Sequence, residues 1–402
     1  MNVLIYTNEY PPYNYGGAGV HVEYLTRELA ALPDVDVDVR AFGDQDDPDY
    51  PLKVKGYPVE TDGFGAPSFL HSIFGSSQRA VSYNADGNEA DVVHCHTWYT
   101  HLGGIMTKLN YGIPLVVTAH SLEPLRPWKR EQLAGGYDFS RWVEKTAMEM
   151  ADAVIAVSEG TKADILELFD VEPEKVHVVF NGIDTEEYKP VDPAPALEKF
   201  GIPTDKPFVL FVGRITRQKG IIHLVEAIRH MDEGYNVVLC AGAPDTKEIA
   251  AEMNAAVDEA GKAREGIYWI DEMIDKTDVI QLYSGAAVFC CPSIYEPFGI
   301  INLEAMACET PVVGSKVGGI PEVVVHEETG LLVPVEQQEE SPFSPLHPDT
   351  YAKDLADAVN RLMADPDMCE RFAKAGRERA VEQFGWANIA RQTRDLYASL
   401  KK

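Results

Sequence analysis

Three observations predict two doubly wound α/β domains. Short apolar runs alternate with helix-period stretches along the chain, most of those runs are apolar on both faces, and one proline-rich segment interrupts the series. In the first half the runs are Val3–Thr7, Val35–Val39, Asp91–His96, Pro114–His120, Ala153–Ser158 and Val176–Asn181. VVHC, LVVTA and AVIAV have no polar face, which suits parallel strands covered by helices on both sides. Val35–Val39 alternates with aspartate and is expected to be an edge or half-exposed strand. Val22, Leu25, Leu29 and Leu32 share one helical face.

Residues 181–207 hold five prolines and read as a linker with one short helix. The alternation then restarts with Phe208–Gly213, Asn236–Gly242, Ile267–Ile270, Ala287–Pro292, Pro311–Gly314 and Gly330–Val333, and the tail from about 349 is helical. The expected domains are 1–190 and 191–384. Ligands in such sheets bind at the carboxyl ends of the strands. Two domains of this kind make a cleft between them the expected active site.

The 402 residues carry 64 acids against 35 Lys and Arg, a net charge of −29. That balance argues against nucleic acid and anionic membranes as partners. At 45% hydrophobic and 25% charged, the composition is that of a globular protein. No run reaches the ~18–20 apolar residues of a membrane helix. The N-terminus lacks the basic region and apolar run of a signal peptide. Six cysteines lie mostly within apolar runs without zinc-ligand spacing, so free thiols in a reducing cytoplasm are expected.

Five segments carry candidate chemistry. Tyr13 to Val20 places Gly16, Gly17 and Gly19 between the first strand and a helix, where backbone N–H groups can meet an anion. Phe211 to Gly220 brings Arg214, Arg217 and Lys219 to a strand end, where Arg214 and Lys219 can close on a diphosphate. Glu296 and Glu304 flank a turn shaped by Pro297 and Gly299, and their spacing suits two separate hydroxyl-bearing groups. His94, His96 and His120 follow consecutive strands, and one of the first two is expected to be a satisfied core histidine. Arg126, Trp128, Lys129 and Arg130 form a basic loop with an aromatic ring, suited to a sugar bearing negative charge. No Cys/His set completes a metal site, and the GxSxG and HExxH signatures are absent.

Taken together these segments resemble the retaining glycosyltransferases of the GT-B fold, in the group that holds glycogen and sucrose synthases. The resemblance rests on EYPPYNYGGAGVHV, VGRITRQKG, EPFGIINLE and VGGIPEVV with GLLV, in that order. HTWYTHLGG, TAHSLEPLRPWKREQLAGGYDFSRWVEKTAMEMADAVIAVS and LCAGAPDT resemble more narrowly the short glycogen synthases of actinobacterial type, a branch that includes maltose 1-phosphate-forming enzymes.

The resemblance implies two Rossmann-like domains facing a cleft, with about 385–402 crossing back to the first. It implies a donor site of Gly16, Gly17, Arg214, Lys219, Asn302, Leu303 and Glu304, the last holding the ribose hydroxyls. Glu296, His120, Arg214 and Lys219 would carry catalysis, with His120 near the glucose 6-hydroxyl and Glu296 near the 3- and 4-hydroxyls. Tyr15, His96, Trp98, Arg126, Trp128, Lys129 and Arg130 would face the acceptor. The implied partners are a nucleotide-sugar, ADP-glucose first, and an α-glucan or glucose 1-phosphate. The leading expectation is α-1,4 extension of a glycogen-type glucan. The alternatives are transfer to glucose 1-phosphate, or use of a UDP- or GDP-sugar. Neither a cofactor nor a metal is implied, and a homo-oligomer is compatible with the chain. Retention would proceed by same-face attack assisted by the leaving phosphate. The long bacterial glycogen synthases have Lys-Thr-Gly-Gly-Leu and His-Asp-Trp where this chain has Asn14 to Ala18 and His96, Thr97, Trp98, so their acceptor choice does not carry over.

Overall fold

The computed structural model describes every residue of the chain except Tyr15, Ser341 and Lys402. The chain divides into two compact units, Met1–Gly182 with Trp386–Lys402, and Ile183–Gly385.

Among the described residues the first unit is built on eight strands: β1 (Asn2–Thr7), β2 (Asp36–Phe42), β3 (Asp46–Asp47), β4 (Leu52–Tyr57), β5 (Val92–His96), β6 (Leu115–Ala119), β7 (Ala153–Ala156) and β8 (Val176–Val178). Their order is β3-β4-β2-β1-β5-β6-β7-β8, and all pairs but β3 with β4 are parallel. Every residue of β5, β6 and β7 is buried, as their lack of a polar face requires.

The sequence reading missed β3 and β4. Leu-Lys-Val-Lys-Gly-Tyr buries only Val54 and Tyr57, so it lacks the long apolar run of its neighbours. With β4 beside it, β2 is half-exposed but not an edge. The helix Gly17–Ala30 buries Val22, Leu25 and Leu29, but stops short of Leu32. Pro33 disfavours helical geometry at the residue before it, and Leu32 packs on the core from the turn.

The second unit contains β9 (Phe208–Arg214), β10 (Asn236–Gly242), β11 (Ile267–Ile270), β12 (Val288–Cys291), β13 (Val312–Ser315) and β14 (Gly330–Val333). This sheet is parallel throughout, in the order β11-β10-β9-β12-β13-β14. The helices Pro348–Met363 and Pro366–Gln383 supply Tyr351, Leu355, Val359, Leu362 and Phe372 to its core.

The division falls earlier than the predicted 190/191. Residues 183–190 are tied to the second unit by backbone contacts. The Ile183 N–H donates to the Phe384 carbonyl at 2.8 Å, and the Arg377 guanidinium donates to the carbonyls of Tyr188 (3.1 Å) and Thr185 (3.3 Å). The last helix, Trp386–Leu400, belongs to the first unit, where Trp386, Ile389, Ala390 and Tyr397 join the core beneath β1 and β2. Trp386 stacks on Tyr24 with ring centres 5.7 Å apart.

In each sheet the strand order reverses once, between β1 and β5 and between β9 and β12. These reversal points are where doubly wound sheets hold ligands. The glycine loop follows β1, Thr97 and Trp98 follow β5, the Arg214–Lys219 loop follows β9, and Glu296 follows β12.

Trp386→Ala removes a buried ring from the first unit's core and is expected to cost about 3–5 kcal/mol. Urea unfolding of the full chain checks this, and a loss below about 1 kcal/mol would show that the last helix contributes little to that core.

Candidate active site

In the second unit the chain turns sharply after β9, and Gly220 (φ +62°) starts the helix Ile221–Ala227. A Cβ at Gly220 would lie 2.1 Å from the Pro292 carbonyl oxygen, so only glycine lets this loop approach the end of β12. That approach brings Lys219 to Glu296. Lys219 Nζ donates to Glu296 Oε2 at 2.7 Å, and Ser293 Oγ donates to the same oxygen at 3.1 Å. The Glu296 side chain is 8% exposed and that of Lys219 21%. Burial works against the Lys219 charge, but Glu296, with Cys291 and Glu304 adding to it, holds the ammonium above its ordinary pKa. Gly318 (φ +51°) packs against the Glu296 backbone, where a Cβ would lie 2.0 Å from the carbonyl oxygen.

Glu304 sits in the helix Ile300–Ala307 and accepts from Tyr283 Oη at 3.0 Å. Burial raises its pKa, while Tyr283, Tyr188 and Lys219 pull it down. Lys219 is therefore within electrostatic reach of both carboxylates. The other two cations of the loop are also matched to acids. Arg214 pairs with Asp245, and Arg217 lies 3.5 Å from Glu252.

In the first unit the carboxyl ends of β1, β5 and β6 gather four histidines. His94 is fully buried and satisfied, with Nδ1 2.6 Å from Tyr397 Oη and Nε2 2.6 Å from Thr118 Oγ1. His96 Nδ1 lies 2.9 Å from His120 Nε2. His21 comes from the helix after the glycine loop, with Nδ1 2.6 Å from Asn181 Oδ1. Burial, then the neighbouring imidazoles, push His94, His96 and His120 well below the usual histidine range. Burial brings His21 down to about 4 against its Asn181 bond. These rings are neutral at neutral pH, so His120 offers a hydrogen bond rather than a charge.

The backbone at this reversal point is strained. Thr97 caps the helix Trp98–Tyr111 with φ +66°, a value β-branched residues seldom take, and its hydroxyl donates to Asn8 Oδ1 at 2.6 Å.

Two family models match the chain: Glycosyltransferase Family 4 over residues 15–187 and Glycosyl transferases group 1 over residues 195–341. The chain is 49% identical over 401 residues to the alpha-maltose-1-phosphate synthase of Mycolicibacterium smegmatis, covering 99% of both chains. It is 46% identical over 407 residues to the enzyme of the same name from Mycobacterium tuberculosis, again covering 99% of each. This chain belongs to the GT-B glycosyltransferases, in the maltose-1-phosphate synthase branch. Among solved structures, the sucrose-phosphate synthase of Thermosynechococcus elongatus superposes with a TM-score of 0.79 at 27% identity, covering 100% of this chain and 99% of that one.

As a glycosyltransferase the protein is a hexosyl-transferring enzyme that takes a nucleotide-sugar and a sugar acceptor. Among the described residues no helix is long and apolar enough to cross a membrane.

Several expected site residues sit differently from their sequence reading. The Gly16 N–H is occupied: it donates to Glu9 Oε2 at 2.7 Å, so a carboxylate stands at the start of the Gly17–Ala30 helix. Gly17 opens that helix. His96 is 0% exposed and touches His120, so it does not itself face an acceptor. Trp98 is buried with Ile73, Leu133 and Tyr137 and stacks on Tyr99 at 4.0 Å, which makes it core rather than a sugar platform. Asn302 and Leu303 are both fully buried, backbone included, so neither presents a surface to a donor. Tyr15 lies outside the described residues.

The basic loop is less bare than its sequence suggests. Arg130 makes two bonds to Asp138, Arg126 donates to Ser121 Oγ at 3.0 Å with Glu123 at 3.7 Å, and Lys129 donates to Gln132 at 2.9 Å. Trp128 is half-buried. Beneath the loop lies a buried carboxyl pair. Glu144 accepts from the Glu123 N–H at 2.8 Å, and burial with the nearby Glu123 raises the Glu144 pKa strongly. The sequence reading also missed His21, Glu9, Ser293 and His101. A histidine one turn into the helix that follows the glycine loop was a usable signal for His21; the others give none.

His101 is buried with neither ring nitrogen bonded, and burial lowers its pKa to about 3. The unfolded chain takes up a proton here below about pH 6.5 that the fold refuses, so this group contributes stability above that pH and loses it as pH falls. The effect is about 1.4 kcal/mol per pH unit. His101→Leu is expected to lose about 2 kcal/mol less than the parent between about pH 7.5 and 5. The comparison between the two curves cancels opposing groups such as Glu144. Parallel curves in chemical denaturation would contradict it.

Proposed function

We propose that this glycosyltransferase moves glucose from ADP-glucose to glucose 1-phosphate, forming the α-1,4 bond of maltose 1-phosphate. The observation that carries the reading is the end-to-end 49% identity with a curated alpha-maltose-1-phosphate synthase. It reverses the order of acceptors drawn from the sequence, where glucan extension led.

In this reading Arg214 and Lys219 hold the donor diphosphate and take up the negative charge that develops as the glucose C1–oxygen bond breaks. Glu296 stands by the sugar hydroxyls and the positive charge growing at C1. Glu304 holds the ribose hydroxyls, and His120 bonds the transferred glucose. The acceptor 4-hydroxyl forms the new bond on the face the diphosphate leaves, and its proton passes to the leaving phosphate. Protein cations do the work a metal does elsewhere, so the reaction proceeds without one. Six free thiols suit a reducing cytoplasm.

The test is a matrix of ADP-, UDP- and GDP-glucose against glucose 1-phosphate, maltotriose and glycogen, with product linkage read by NMR. The expected outcome is the highest kcat/KM for ADP-glucose with glucose 1-phosphate. Preference for glycogen would contradict the acceptor, and preference for a UDP- or GDP-sugar the donor.

The acceptor loop gives a second test. Arg126→Ala and Lys129→Ala are each expected to raise the KM for glucose 1-phosphate about tenfold or more, roughly the loss of one charge-assisted bond. The KM for maltotriose should change little. Arg130→Ala should do less, because Asp138 already neutralises that guanidinium. Equal effects on both acceptors would remove the loop from phosphate recognition.

A further inference from the structure

Among the described residues, His21, His96 and His120 each offer one ring nitrogen, and these three lie within 4.8 Å of one another. We propose that they form a binding site for a divalent transition-metal ion, Zn²⁺ by its coordination preferences, and that occupation of this site blocks glucosyl transfer.

Three features of the cluster carry the inference. The donor set is three imidazoles, the ligand type that suits Zn²⁺ rather than Mg²⁺ or Ca²⁺. His21 is already oriented as a ligand. A neutral imidazole that donates Nδ1–H to Asn181 Oδ1 keeps a lone pair on Nε2, and such an outer partner is what metal-binding histidines usually have. His96 Nδ1 and His120 Nε2 face each other at 2.9 Å across one shared proton, while His96 Nε2 is buried without a partner. An ion between the facing nitrogens displaces that proton, which the open ring nitrogen of the same imidazole can take. No net charge is lost from the rings.

A tetrahedral ion about 2.0–2.1 Å from each nitrogen needs them roughly 3.3 Å apart. The cluster therefore has to tighten by at most about 1.5 Å at its widest pair. His120 is half-buried while the other two are buried, so the ion's fourth position lies on the His120 side. An ion there binds His120 Nε2, the nitrogen that faces His96, and sets a double positive charge beside the transferred sugar, where the reaction itself builds positive charge at C1. The inhibitory part of the proposal rests on the role given to His120 above; the binding part does not.

The experiment titrates the full chain with Zn²⁺ by calorimetry and with Co²⁺ by visible absorption, beside turnover. The parent is expected to bind one ion per chain, with Co²⁺ giving tetrahedral d–d bands, and to lose activity as the site fills. In His21→Asn the amide nitrogen can keep the bond to Asn181 while the Nε2 lone pair is gone. This variant is expected to bind at least about tenfold more weakly and to retain metal-free activity. Asn181→Ala, which removes only the outer partner, is expected to weaken binding about 10–100-fold.

Thermal melts confirm that both variants fold. If one does not, the other carries the test. Absence of stoichiometric binding, or binding that both variants leave unchanged, overturns the site. One ion bound with transfer unaffected keeps the site but overturns the inhibition, and with it the role of His120. Failure of the enzyme to make maltose 1-phosphate leaves the calorimetric and spectroscopic results intact, so the two readings fail separately.

Discussion

The pairing of Lys219 with Glu296 is the constraint around which the second unit is arranged. Taking two charges out of water costs several kcal/mol per ion, and close pairing repays that only when the geometry is good. Removing one partner leaves the other buried and uncompensated, at a cost of about 3–5 kcal/mol. Well-packed apolar residues would be at least as stable there, so stability alone gives no reason to keep the pair. The fold goes to some length to form it. Gly220 brings one loop against Pro292, Gly318 packs on the Glu296 backbone, and Ser293 supports the carboxylate.

The same constraint gives the charge of −29 a local meaning. All three cations of the 214–219 loop have carboxylates beside them: Asp245, Glu252 and Glu296. A donor diphosphate would exchange with these carboxylates rather than fill bare positive space. The first unit repeats the pattern. Glu9 stands at the helix start where an anion would bind, and Asp138 covers Arg130. In the reading proposed above, these internal acids would hold the groups that meet the donor in place and compete with weakly bound anions.

The placement of the motifs was legible in the sequence because strand ends are legible. Strands buried on both faces declare themselves as apolar runs, and doubly wound topology puts ligands beyond their carboxyl ends. The loops after β1, β5, β6, β9 and β12 were found in this way. β4 was not, because its alternation of lysine with Leu52 and Val54 buries too little to stand out. Partners distant in sequence were also hidden. Nothing in RPWKR announces Asp138, and nothing in HTW says that Trp98 turns inward to Ile73 and Tyr137. Tryptophan is equally at home in a core or on a sugar, and only packing decides between them. His96 is a similar case. Its strand position was read correctly, but its reach ends at His120.

The central claim is that Lys219 and Glu296 act on the donor as one unit. The most direct measurement is a double-mutant cycle on kcat/KM for the nucleotide-sugar, using Lys219→Ala, Glu296→Gln and the two together. Each single change is expected to be severe, and the double variant no worse than the worse single. Losses that multiply, or a single variant with near-parental activity, would contradict it.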